Sequence, residues 1–402
     1  MAIQRQQTRT IGSQRRGKTA VLVGFRGVVG FALFVCGFLL FLTTQVGNPT
    51  EVPAANVTPV AAKTAPANRQ QVATKLLPDL TETTTTKRVT IAYAISLVKC
   101  GDHQSTAGGL IDAAIVMRHS IHLTHQHSKY DYKMYAIVHT NAQDCSQLLR
   151  DVGFEISVVD SPVQVSEIRG EYLKKSIHKE WCCGADEFIK LYAYELPHPV
   201  IVHVDIDFAF YKPMDDLFDA ILYDKDSPEG KAARSRIPLE RPEEGFPDII
   251  GSFITRDWPQ SIPGRKAGYQ AGFIVARRDL SIVKEVVEVI KEGNFVEGFG
   301  RDNGWGGIGY GGFVGAKAMQ GLMAYYYDII RPNNAVELNQ CRFNHMGMNV
   351  VYNASPNFNP RYKSVGKCRN NKNECEDCMT TDFDKIYNVH YTECKLVQHG
   401  MD

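Results

Sequence analysis

Turn-bounded apolar runs rich in β-branched and aromatic residues recur from residue 89 onward and alternate with helical stretches. This alternation restricts the fold more than any other feature of the sequence. Residues 89–98 (VTIAYAISLV) form a buried strand by this criterion, and Ser105 and Thr106 cap a helix expected over 108–127. The next strand is expected at 132–140, a helix at 146–152, a strand at 155–159, a helix at 185–196 and a continuous apolar strand at 200–204 (VIVHV). A strand over 273–276 and a helix over 281–291, stopped by Gly293, follow. Strands and helices in this order build a parallel sheet covered on both faces. Ligands of such open sheets bind beyond the carboxyl ends of the strands, which directs the search to residues 96–101 and 205–208.

A different kind of segment stands ahead of this region. Residues 27–42 (GVVGFALFVCGFLLFL) carry no charge, and with Thr43 and Thr44 the run approaches the roughly 20 residues that cross hydrocarbon. Arg5, Arg9, Arg15, Arg16, Lys18 and Arg26 precede it, and the first acidic residue is Glu51. The positive-inside rule then expects a cytoplasmic tail over 1–20, a transmembrane signal anchor over 21–44, and the rest of the chain in a lumen. A cleaved signal peptide is the competing expectation, but residues 43–47 offer no clear small-x-small site. Residues 45–87 are rich in Thr, Ala and Pro and read as an exposed stem, leaving 88–402 for the folded domain. Sequons at Asn56 and Asn353 agree with a lumenal setting, although Pro59 and Pro356 follow them.

Setting aside the six basic residues ahead of Glu51 leaves 39 basic against 44 acidic side chains, which excludes the clustered positive charge that nucleic-acid binding requires. Of the ten cysteines, Cys36 lies in the apolar run, and the nine others are expected as lumenal disulfides with at least one left over. Cys368, Cys375, Cys378 and Cys394 contain a single C-x-x-C pair where zinc ribbons show two, so disulfides are preferred to zinc.

The sharpest chemical feature is Asp205-Ile206-Asp207. Two carboxylates two apart on an extended segment project to one side and can share a hard divalent cation. The same tripeptide pattern occurs at 224–226 and 382–384, so the pattern alone says little. Only the first closes an apolar strand, where isolated acids would carry a desolvation penalty unless a cation or donors compensated them.

Further blocks surround this pair in a fixed order. Gly108-Gly109-Leu110 with Ser120 come first, then 188–196 (FIKLYAYEL), the strand over 200–204, the Asp pair and 212–219 (KPMDDLFD). Gln270-Ala271-Gly272-Phe273, Gln320-Gly321-Leu322 and 389–395 (VHYTECK) follow. In this order, over about three quarters of the chain, the sequence resembles the glycogenin-like glycosyltransferases of family eight. The resemblance implies a GT-A fold, Rossmann-like, with a mostly parallel mixed sheet and helices on both faces. It also implies a nucleotide-sugar donor, usually UDP-linked, a bound Mn²⁺ or Mg²⁺, and transfer with retention at the anomeric carbon. By the same resemblance Asp205, Asp207 and His390 hold the metal, and Lys190 reaches the donor phosphates or sugar. Ser96, Leu97 and Ile206 contact the nucleotide, the first two largely through backbone groups, while Gln270 and Gln320 line the sugar side. The chemistry agrees, since a divalent cation neutralises the charge that grows on a departing diphosphate, and an imidazole joined to two carboxylates favours Mn²⁺ over Mg²⁺.

The chain also departs from the family. Met319 stands where many members carry Asp, Gln270 where Asn is usual, and beyond His390 the family's Gly and Lys-Pro-Trp give way to Lys395 one residue closer. With no obvious nucleophile, retention fits front-face attack in which the leaving diphosphate takes the proton. An inverting transferase is one alternative; a degenerate nucleotide-sugar- or glycan-binding protein, pointed to by Met319, is another. Nine glycines between 298 and 315 include a formal G-x-G-x-x-G, which without a preceding strand and a ribose-binding acid is set aside as a dinucleotide site. A mobile acceptor-side loop offering Trp305 and Tyr310 for sugar stacking is expected instead. His119, His122, His125 and His127 are expected on a solvated helix end. The expectation is a single-pass type II protein of the Golgi or endoplasmic reticulum with a lumenal catalytic domain. Its partners would be a nucleotide-sugar, a glycan or glycoprotein acceptor and the membrane, with a homodimer as one option for assembly.

Overall fold

A computed structural model describes residues 88–100, 104–180, 184–262, 264–346, 368–373 and 375–391. The expected tail, membrane anchor and stem, both sequons, Cys182, Cys183, Cys394 and Lys395 lie outside the described residues. Among the described residues no helix is long and apolar enough to cross a membrane.

The strands are β1 (Thr90–Leu97), β2 (Asp131–His139), β3 (Glu155–Val159), β4 (Val200–Val204), β5 (Phe208–Phe210), β6 (Ser252–Arg256), β7 (Tyr269–Arg277), β8 (Phe295–Val296), β9 (Gly304–Trp305), β10 (Ala335–Glu337) and β11 (Asn388–His390). Seven of them form a mixed sheet in the order β10-β6-β7-β4-β1-β2-β3. β1 pairs in parallel with β2 and β4, as do β2 with β3 and β6 with β10, while β7 runs antiparallel to both β4 and β6. The fold is therefore mixed α/β with a mostly parallel central sheet. Two short pairs, β5 with β11 and β8 with β9, stand outside it.

The strand period of two explains why both faces of this sheet are dry. Ile91, Tyr93, Ile95 and Leu97 of β1, with Val200, Val202 and Val204 of β4, point to one face. There they meet Ala114, Met117 and Ile121 of the helix Gln104–His125 and Leu217, Phe218 and Ile221 of the helix Asp215–Leu222. Ala92, Ala94 and Ile201 point to the other face, against Ile189 and Ala193. Each such aliphatic side chain taken from water contributes roughly 1.5–3 kcal/mol. A second cluster packs Ile274 and Ala276 of β7 against the helices Leu280–Glu292 and Met319–Tyr325. Asp279 caps the first of these helices by accepting a hydrogen bond from Ser281 N at 2.9 Å, and Gly293 ends it at φ +65°, the left-handed conformation that glycine adopts without strain.

Several expectations need correction. Residues 185–196 do not form an α-helix; Gly184–Glu195 winds as a 3₁₀ coil. Three residues per turn eclipse i and i+3, so Glu187 lies over Lys190. Trp305 and Tyr310 are not available for sugar stacking, being 0 % and 1 % exposed. The Trp305 indole donates to Ala316 O at 2.9 Å, and the Tyr310 hydroxyl donates to Asp328 Oδ2 at 2.7 Å. His125 is not solvated: it is buried, with Nε2 3.0 Å from the Tyr93 hydroxyl. Among the described residues the cysteines pair as Cys100–Cys145, Cys341–Cys378 and Cys368–Cys375, in line with the expected disulfides.

Candidate metal centre and its surroundings

From β1 the chain proceeds to β2 and β3 on one side and later to β4 on the other, so the strand order reverses between β1 and β4. A crevice opens at the carboxyl ends of strands on either side of such a switch point. Ser96 and Leu97 end β1 there, and Asp205 follows β4. Leu97 turns its side chain into the core, and Ser96 Oγ lies 2.8 Å from His203 Nε2. Burial, assisted by the nearby Lys190 charge, pushes the His203 ring down to about 3, so it is neutral.

Residues 205–207 are not extended as the sequence predicts; Ile206 and Asp207 form a turn into β5. The turn still brings the two carboxylates together. The main chain fixes both ends of it, with Asp205 N donating to Gly272 O on β7 at 3.0 Å and Tyr391 N donating to Asp207 O at 2.9 Å. Ile206 packs against the core. β11 pairs antiparallel with β5, setting His390 opposite Phe208, and this register delivers the imidazole to the acids. One ligand atom from each of Asp205, Asp207 and His390 lies within 4.8 Å of the others, the one such group among the described residues.

The orientation of the ring follows from its partners. Asn344 Nδ2 donates to Thr255 Oγ1 at 2.8 Å, which turns Asn344 Oδ1 toward His390 Nδ1 at 3.0 Å. Nδ1 is thereby engaged with Asn344, and Nε2 is the ring nitrogen turned to the acids. That nitrogen is buried and makes no hydrogen bond, and it faces Asp207 Oδ1 at 3.3 Å and Asp205 Oδ2 at 3.8 Å. Phe208 stacks on the ring at 4.4 Å. Three ligand atoms pointed at one another, with the Asn344 amide orienting the imidazole, fit a divalent cation. Gly272 makes the approach feasible, because a Cβ there would stand 2.7 Å from His390 Cε1 and 2.9 Å from Asp205 Oδ2.

Lys190 joins this group. Its ammonium donates to Asp205 Oδ1 and Glu187 Oε1, both at 3.0 Å, and approaches Ala271 O at 3.5 Å. Burial opposes its charge, but Asp205 and then Glu187 outweigh burial and hold the ammonium above its ordinary value. Gln270 accepts from Gly272 N at 3.2 Å and so flanks the centre. Gln320 donates to Asp257 Oδ1 at 2.9 Å and is engaged by that residue, not by the three ligand residues. Burial pushes the Asp257 carboxyl up to about 7 against the pull of that hydrogen bond, Arg256 and Arg369.

Met319 is fully buried, and its backbone N donates to Glu187 Oε2 at 3.4 Å. Glu187, which bridges Lys190 and the Met319 backbone, was missed by sequence reasoning together with Asn344, Asp257 and the spacing role of Gly272. The other two Asp-x-Asp tripeptides serve locally. Asp224 accepts from Asp226 N at 2.8 Å, and Asp382 pairs with Lys385 at 2.5 Å.

No family model matches the sequence, and a search of curated proteins finds no match either. Solved structures do match. Mouse xyloside xylosyltransferase 1 in its apo form shares 10 % identity, with 76 % of this chain and 98 % of that one covered, at a TM-score of 0.40. The galactosyltransferase LgtC, bound to donor and acceptor sugar analogues, shares 10 % identity over 76 % of this chain and 87 % of its own at 0.35. The glycosyltransferase GlyE of Streptococcus pneumoniae TIGR4 shares 11 % over 76 % and 55 % at 0.36.

Proposed function

We propose that the chain is a metal-dependent glycosyltransferase of the GT-A, family-eight kind, moving a sugar from a UDP-linked donor to a glycan or glycoprotein with retention at the anomeric carbon. The observation that carries this reading is the meeting of Asp205, Asp207 and the Nε2 of His390 at the carboxyl edge of the sheet, with Lys190 beside them. Asp205, Asp207 and His390 would hold Mn²⁺, which supplies Lewis-acid neutralisation of a diphosphate.

The chain's own groups account for the rest. Asn344 orients the imidazole with Nε2 turned to the acids. Lys190 is already charged and held in place by two carboxylates, so it is positioned to exchange one of them for a donor oxygen without reorganising. The backbone at Ser96 and Leu97, across the switch point, lies where a nucleoside would sit. Gln270, beside the ligands, faces the sugar, and no side chain placed here serves as a nucleophile, which favours front-face attack with the departing diphosphate as base.

Calorimetric titration of the detergent-solubilised full-length protein with UDP, with and without Mn²⁺, tests this. Manganese-dependent binding abolished in Asp207→Asn is the expected result; no binding to folded protein rejects the reading. The burial of Met319 favours a second reading, a protein that holds a nucleotide-sugar without turning it over, and absence of donor hydrolysis despite tight binding would select it. Three disulfides among the described residues support an oxidising compartment, and with the sequence of residues 1–44 we extend the proposal to a Golgi or endoplasmic-reticulum type II topology. Protease protection of the folded domain in sealed microsomes is the corresponding test.

A further inference from the structure

A second cleft, of about 520 Å³, opens between the loop around 239–245, the segment around 260–267 and the ends of β6 and β10. Its charge is unbalanced. Arg241, Arg256, Arg265, Lys266 and Arg369 line it against Glu244, Asp328 and Glu337, an excess of two positive charges. The floor is internally satisfied: Arg256 donates to Asp328 Oδ1 at 2.6 Å and Glu337 Oε2 at 3.3 Å. Glu337 also meets Arg241 at 3.2 Å as well as Arg369, so one carboxylate serves three guanidinium groups.

Arg265 donates to Gly312 O and Arg241 also pairs with Glu244, but other polar groups around the cleft lack acceptors. Gln260 is 4 % exposed, and its Nε2 has no hydrogen-bond partner among the described residues; nor has the buried Arg241 Nε. Lys266 is exposed and forms no ion pair among the described residues. Buried donors without acceptors are costly, and clustered cations repel one another, so the cleft is built for something that brings negative charge and acceptor oxygens. Arg369 is held ready for it: the Cys368–Cys375 disulfide closes its loop, its N donates to Pro259 O at 2.7 Å and its Nε to Trp258 O at 2.7 Å.

Part of the cleft lining, Arg256 and Glu337, stands at the carboxyl ends of β6 and β10, strands that run in the same direction as β4. Arg256 ends β6 opposite Tyr269, and three steps along β7, roughly 10 Å, lead from Tyr269 to Gly272. The donor sugar is bonded to the diphosphate, so an anion this far along the edge belongs to the other substrate. We propose that the cleft binds an oxyanion-bearing sugar unit of the acceptor, one carrying a carboxylate, sulfate or phosphate, through the Arg241, Arg265 and Lys266 cations and the Gln260 amide. The proposal rests on the transferase reading above.

The test titrates the full-length protein, with UDP and Mn²⁺ present, with methyl glucuronide, glucose 6-sulfate and glucose 6-phosphate beside neutral methyl glucoside. At least one anion should bind about tenfold or more tightly than the neutral sugar, as one charge-assisted contact provides, and the tightest identifies the source. Lys266→Glu, an exposed and unpaired position, should remove that advantage while leaving UDP affinity unchanged, and Gln260→Leu should reduce it. Equal binding of all four sugars, or an anion preference untouched by both variants, overturns the proposal. Loss of UDP binding with the anion preference intact would instead strike the transferase reading and leave an anion site standing.

Discussion

Gly272→Ala tests the metal centre through one methyl group. Gly272 sits in β7, between β4 and β6, with its carbonyl tied to Asp205 N at 3.0 Å, so the backbone cannot retreat. The new Cβ would stand 2.7 Å from His390 Cε1, whereas carbon atoms in contact settle at about 3.5 Å. The ring must therefore move by about 0.8 Å, against Phe208 stacked on it and Asn344 bonded to it, and Asp205 Oδ2 must shift as well. Metal–ligand distances tolerate about 0.2 Å, so Mn²⁺ affinity should fall at least ~10–100-fold, the range seen when outer-shell support of a ligand is removed. Overpacking should lower the stability of the metal-free protein by ~1–3 kcal/mol. Electron paramagnetic resonance of free Mn²⁺ during titration measures the first, and denaturant unfolding without metal measures the second. Wild-type Mn²⁺ affinity in a variant that shows the packing penalty would refute the claim that the three ligands close around Gly272.

Asn344→Ala should weaken Mn²⁺ by ~10-fold or more through loss of ring orientation, while Asn344→Asp, which tolerates φ +53° and keeps an acceptor, should restore most of it; equal titrations for both would exclude the orienting role. His203 is neutral in the fold down to about pH 3 but charges near pH 6.5 when unfolded, so its contribution to stability is lost as pH falls from 6.5 towards 3. That loss is ~1.4 kcal/mol for each step of one in pH, and stability of His203→Gln measured across this window should slope less steeply than wild type by that amount. Reduction opens Cys341–Cys378, whose partners are 37 residues apart, and by chain entropy should cost about 4 kcal/mol; identical urea midpoints with and without reductant, once free thiols are confirmed, would contradict this.

How legible the fold was depended on element length. The strands expected at 155–159 and 200–204 occur with those bounds, and β1, β2 and the helix before Gly293 differ from expectation by a residue or two, because each carries a long apolar signal. β5, β6, β10 and β11 escaped notice; three of them are three residues long, too short to show a period of two. The Asp pair was readable from its place after β4. His390 came only from the likeness to a family, since β11 reaches β5 by tertiary pairing that no local pattern encodes. Glu187 left a trace, an acid three residues before Lys190, whereas Asn344 at positive φ left none. The glycine-rich stretch was misread because density of glycine was equated with exposure. At Gly304 a Cβ would collide with the Tyr310 backbone at 2.0 Å, so the glycine lets the loop fold back and bury Trp305 and Tyr310.

The late arrival of β11 has a consequence in time. Asp205 and Asp207 leave the ribosome roughly 180 residues before His390, which at 5–20 residues per second is on the order of 10–40 s. During that interval the parallel strands β1 to β4 can assemble, and the two acids are exposed with Lys190 as their compensating charge. The third ligand joins the site only after residue 390 has been made. A nascent chain that ends before β11 therefore carries two of the three ligand residues, and the Asp205, Asp207 and His390 group forms only once β11 has paired with β5.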